Sequence, residues 1–138
     1  MTGGAGFIGS HLATRLVELG HKVRVIDNLY SGHRKNLSHI ADDVEFLEAD
    51  LRELSSCETA CSGVEFVFHE AAVGSVPKSI DIPQTSHDVN MNGTFNLLRA
   101  AAGARVRRVI YAGSSSVYGD TTESPKHEGI IPHPLSPY

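Results

Sequence analysis

Gly3, Gly6 and Gly9 stand in a G-x-x-G-x-x-G spacing within TGGAGFIG. A backbone that must turn tightly and approach a pyrophosphate cannot carry side chains at such points. If a helix starts here, its first N–H groups and the positive end of its dipole face the phosphates. Glycine serves turns of every kind, so the spacing acquires meaning only with a second residue. Asp27 supplies it, 18 positions after Gly9 at the end of HKVRVIDN. An acidic side chain at roughly that distance accepts hydrogen bonds from the ribose hydroxyls of a dinucleotide, and it repels a 2′-phosphate. The two features together predict NAD in preference to NADP.

Such residues need a strand, a tight turn and a helix to hold them. GFIGSHLATRLVELG places Ile8, Leu12, Leu16 and Leu19 at helical spacing, with Gly20 where a helix stops. Strands are expected near 22–27, 44–48, 64–69 and 107–112. Helices are expected over about 7–19, 51–62 and 83–103, and residues 119–138, with four prolines of their own, read as loop. Alternating strands and helices give an α/β fold, a Rossmann-like doubly wound parallel sheet. Only Met1 and Thr2 precede the glycines, so most of the strand that normally leads into them is expected to be missing. The expectation is one partial domain, 1–138, truncated at both ends.

Composition narrows the function classes. The 138 residues are enough for a core without disulfides or metals, and 41% of them are hydrophobic. The net charge of -4 argues against a general nucleic-acid binder. Cys57 and Cys61 lie four apart in a helical stretch and read as small buried side chains. No further Cys or His stands at ligand spacing, so no metal is expected. No apolar run approaches the ~20 residues of a membrane span, and no signal peptide is evident. A cytoplasmic protein is the expectation, without membrane or nucleic-acid partners.

TGGAGFIGSHL, VIDN, LEADLRE, HEAA, GSVPKSI, VNMNGTFNLL, SSSVYGD and PLSPY follow one another in this order. The series resembles the extended short-chain dehydrogenase/reductases, the NAD-dependent epimerase/dehydratase family, and within them the UDP-hexose 4-epimerases. The resemblance implies roles position by position. Phe7 and Ile8 present backbone amides to the pyrophosphate. Asp27 and Asn28 hold the adenosine ribose, with Ser31 and Gly32 beside it. Asp50 and Leu51 contact the adenine, Ala71 and Ala72 line the nicotinamide ribose, and Asn90 faces the nicotinamide half. Ser114 is the implied catalytic serine, with Ser116 able to reach the substrate. Tyr138 is the implied acid–base, the first residue of a Y-x-x-x-K motif whose lysine falls outside the sequence. A free tyrosine has a pKa of about 10 and needs cationic neighbours to act as a base near neutrality. The implied reaction moves the sugar 4-hydroxyl proton through Tyr138 and a hydride through NAD, with Ser114 bonding the same oxygen.

Dehydratases of this kind carry T-D-E where this chain has Ser114, Ser115 and Ser116, which counts against dehydration. GSVPKSI resembles the epimerases of UDP-N-acetylhexosamines, where Gly74 leaves room and Ser75 and Lys78 offer hydrogen bonds to substrate. UDP-glucose/galactose and UDP-glucuronate enzymes are the alternatives, as is a non-catalytic NAD-binding module. The full-length protein is expected to be a homodimer, and the bare chain to be inactive.

Overall fold

A computed structural model describes residues 1–138. Strand β1 (Val23–Asp27) pairs in parallel with β2 (Val44–Glu48), and β3 (Phe66–His69) pairs in parallel with β4 (Arg108–Tyr111). Thr2 joins the two pairs, bridging in parallel to Ile26 on one side and His69 on the other. Thr2, just before the glycines, therefore occupies the middle of the sheet, and the order is β2, β1, Thr2, β3, β4.

Helices cover both faces. Helix α1 (Phe7–Glu18) packs on one face, where Ala5, Ala13, Val23, Val25, Leu37 and Ile40 form a buried cluster. Helices α2 (Leu54–Cys61) and α5 (Thr94–Gly103) pack on the other, around Leu51, Cys57, Cys61, Val67, Leu97 and Ala101. Strand β1 serves both cores: Val23 and Val25 enter the first, Ile26 the second. The period-2 alternation of a strand puts these neighbours on opposite faces. Cys57 and Cys61 are free thiols buried on α2, and burial pushes both up in pKa, Cys57 to about 11.

The expected strands and helices are all present, with ends trimmed by up to three residues. Three features were not expected. Arg34–Ile40 and Ser115–Tyr118 form 3₁₀ turns. Val76–Asp81 forms a short helix, α3, where Ser75 caps the first turn by accepting from Lys78 N–H at 3.3 Å. The expected helix over 83–103 is helical throughout but not uniform. It runs as α4 (Pro83–His87), a π-helical segment (Asp88–Gly93) and α5. The extra residue per turn in the π segment re-aims its side chains relative to an unbroken helix.

Candidate functional site

All four strands point the same way, so the residues after their C-terminal ends gather along one edge of the sheet. That edge is where open parallel sheets bind ligands. A cleft of about 670 Å³ opens there. Of the expected cofactor residues, Gly3, Gly6, Phe7, Ile8 and Gly9 form one wall, and Asp27, Asn28, Ser31, Gly32, Asp50 and Leu51 another. Ala71 and Ala72 line the far end.

The glycines divide the labour differently from the expectation. Gly3 has φ +64°, and a Cβ there would lie 2.7 Å from the Ala71 nitrogen. A Cβ on Gly9 would collide with the Gly3 carbonyl oxygen. These two glycines let the turn pack on itself. Gly6 is the more open of the three, with only the Gly3 oxygen near, at 3.2 Å. It precedes α1, whose first turn has no side-chain cap. The first N–H groups of a helix have no partner within it, so this end suits an anion.

Asp27 is anchored before any ligand arrives. Its Oδ2 accepts from Ala5 N–H at 2.9 Å and its Oδ1 from Leu29 N–H at 2.8 Å. Each oxygen keeps a further lone pair for a ribose hydroxyl. Asn28 donates to Asp50 Oδ2 at 2.8 Å and accepts from Tyr30 N–H. Arg52 grips both oxygens of Asp50, at 3.0 and 2.8 Å, and holds that carboxyl well below the usual carboxylate range. The carboxylate expected at the adenine is therefore already engaged on both oxygens. Asn96 on α5 steadies the same turn by donating to the carbonyls of Leu51 and Arg52.

Asn90 is the expected cofactor residue that does not line the cleft. Its Oδ1 accepts from Val73 N–H at 2.8 Å and its Nδ2 donates to Val73 O at 3.3 Å. Val89, its neighbour on the π segment, lines the cleft instead, as do Thr85, Glu70, Val73 and Gly74. No periodicity in the sequence signals a π turn, so this exchange was not legible there. Burial raises the Glu70 carboxyl.

The expected catalytic group is split between elements. Ser114 caps the 3₁₀ turn after β4, accepting from Ser116 N–H and donating to Ser116 Oγ, both at 3.2 Å. The hydroxyl of Tyr138 stands 3.8 Å from where a Cβ on Gly74 would be, which puts it beside the far end of the cleft. Ser75, expected at the substrate, spends its hydroxyl as the α3 cap, and Lys78 lies over the Tyr30 ring at 5.4 Å.

The sequence profile of the NAD dependent epimerase/dehydratase family matches residues 1–138. The chain belongs to this family. Family members with known structures share its shape. A UDP-glucose 4-epimerase of Thermus thermophilus, in complex with NAD, superposes with a TM-score of 0.91 at 38% identity, over 99% of this chain and 44% of that one. A UDP-N-acetylglucosamine 4-epimerase of Methanobrevibacter ruminantium, in complex with UDP-N-acetylmuramic acid, gives 0.92 at 36%, over 99% and 44%. A putative UDP-glucose 4-epimerase of Methanocaldococcus jannaschii is 37% identical over 140 aligned positions, all of this chain and 45% of that protein. The chain thus spans a little under half the length of these family members. No helix is long and apolar enough to cross a membrane.

Proposed function

We propose that this chain is the dinucleotide-binding part of an NAD-dependent epimerase that inverts C4 of a UDP-hexose or UDP-N-acetylhexosamine. The observation that carries the reading is the meeting at Gly74. This residue lines the end of the cleft next to Ala71 and Ala72, and the Tyr138 hydroxyl stands beside it. A proton-transferring group therefore adjoins the end of the cleft opposite the Asp27 carboxylate. The wall of uncapped helix N–H groups, the Asp27 carboxylate and the close glycine packing fit a dinucleotide with an unphosphorylated ribose. Similarity to 4-epimerases over the whole chain supports the substrate class.

Bound NAD supplies the hydride acceptor and donor. Asp27 and Asn28 orient the ribose at one end of the cleft, and Ala71 to Gly74 set the other end. Tyr138 takes the proton from the sugar 4-hydroxyl and returns it after the sugar has turned. Ser114 hydrogen-bonds the same oxygen once it swings from Ser116. Serines at 115 and 116 leave no side-chain carboxyl to expel water, which supports epimerisation over dehydration. Phe95 and Leu98 stand exposed on α5, an apolar face that supports a homodimer of the full-length protein.

The test is interconversion of a UDP-sugar and its 4-epimer by the full-length protein. Tyr138→Phe keeps the ring and removes the transferable proton. Its turnover should fall by ~10²–10⁴, the usual loss for general acid–base catalysis, with NAD still bound. Ser114→Ala should also slow turnover. The double variant should fall short of the product of the two effects, because both groups act on one oxygen. Full activity of Tyr138→Phe would show that another group moves the proton.

A further inference from the structure

His69 ends β3 and is 2% exposed, yet the chemistry proposed above gives it no part. Its ring lies between two threonines. Nδ1 is 2.7 Å from Thr2 Oγ1, and Nε2 is 2.8 Å from Thr94 Oγ1. The proton positions follow from the neighbours. Thr94 donates its one hydroxyl proton to the Asn90 carbonyl at 2.7 Å, because a carbonyl can only accept. Thr94 must then accept from His69, so Nε2 carries the proton. In a neutral ring Nδ1 is bare and accepts, so the Thr2 hydroxyl donates to it. The lone pair left on Thr2 Oγ1 accepts from Ala71 N–H at 3.2 Å.

The two ends of this chain of hydrogen bonds reach the same strip of backbone. Thr2 holds Ala71, and Asn90, whose carbonyl Thr94 holds, clamps both backbone groups of Val73. Ala71, Val73 and the intervening Ala72 line the far end of the cleft. Such networks can be stronger together than pairwise sums suggest, and a broken one leaves buried groups unpaired.

We propose that His69, as its neutral Nε2–H tautomer, is a positioning residue that locks Thr2 to Thr94 and so fixes the Ala71–Val73 strip against which the nicotinamide half of the cofactor lies. This rests on the dinucleotide reading given above. A protonated ring would turn a second donor on Thr2 Oγ1 and leave the Thr2 proton without its acceptor. Burial, which pushes the imidazole down to about 4, favours the neutral form.

The experiment has two arms, both on the full-length protein. In the first, magic-angle-spinning NMR on protein labelled with ¹⁵N-histidine reads the His69 tautomer, assigned by the signal lost in His69→Leu. A neutral Nε2–H ring at pH 6 to 8 is expected, and an Nδ1–H ring or an imidazolium at pH 6 overturns the proposal. In the second, protein stripped of nucleotide is titrated with NAD and its Tm recorded. Thr94→Val removes the acceptor for Nε2–H, and NAD Kd should rise about tenfold, the size of effect expected when a buried group loses its partner. Thr94→Ser restores the hydroxyl and should bind within about twofold of wild type. A lower Tm for Thr94→Val with unchanged NAD affinity overturns the positioning role, since the network is then merely structural. Failure of the wild-type protein to bind NAD at all overturns the function proposed above, while the tautomer arm still decides the network.

Discussion

Asp27 shows how one side chain can serve the fold and a ligand together. Its two oxygens hold Ala5, which is fully buried in the glycine-rich turn, and Leu29 in the turn after β1. Replacing it with alanine leaves both N–H groups without their acceptor. We expect Asp27→Ala to lower stability by about 1–3 kcal/mol, the cost of unpaired buried groups, and to weaken NAD binding as well. Asp27→Asn keeps one accepting oxygen and should lose less of both. Urea denaturation reads the first effect and titration with NAD and NADP the second. The wild-type protein should prefer NAD, because the carboxylate repels a 2′-phosphate. Equal affinity for the two cofactors would sink that assignment. The place of Asp27 on the cleft was legible from its spacing to Gly9. Its grip on Ala5 was not, because a hydrogen bond from a side chain to a distant backbone leaves no mark on periodicity.

At the scale of elements, the turn from Gly3 to Gly9 and the helix it launches make a sharper test than the glycine motif taken whole. An alanine at Gly9 must push against the Gly3 carbonyl, and one at Gly3 against the backbone of Ala71 in a left-handed conformation. Neither backbone can yield without opening the turn. Both substitutions should destabilise by about 1–3 kcal/mol or more, the usual penalty for overpacking. Gly6→Ala meets only one oxygen at 3.2 Å and should fold nearly as well as wild type. Gly6 lines the cleft, so the cost of the added methyl group should show in NAD affinity. Thermal melts and NAD titrations on the three variants would separate these outcomes, and a destabilised Gly6→Ala with normal Gly9→Ala would reverse the assignment. The strands and long helices were legible because their apolar residues recur with periods of 2 and 3.6. Helix α3 was not, since its six residues fall below a readable period and its start depends on the Ser75 cap. The π segment was not legible either, and with it went the placement of Asn90 on Val73 and of Val89 on the cleft.

Across the whole molecule, the sheet is closed at its centre by Thr2 and by the buried ring of His69 beside it, so the charge state of that ring bears on the stability of the entire fold. Burial pushes the imidazole from 6.5 down to about 4. Between those values the unfolded chain binds a proton that the folded chain does not, so stability rises with pH across that window. The contribution is complete above about pH 6.5 and is lost progressively as the pH falls toward 4. At 1.36 kcal/mol per pKa unit it amounts to at most about 3 kcal/mol. Glu70, raised by burial, acts in the opposite sense, because its folded form takes up a proton first as the pH falls. Asp50 is depressed by Arg52, so its contribution is present above its unfolded pKa near 3.8 and fails only at more acid pH. Subtracting a variant isolates the histidine. Urea unfolding of the wild-type protein and His69→Leu should be followed from pH 7 to 4.5. The wild type should lose more stability over this range than the variant, with most of the extra loss below pH 6. Parallel profiles for the two proteins would show that His69 titrates alike in the folded and unfolded chains, and that its burial at the centre of the sheet carries no electrostatic cost.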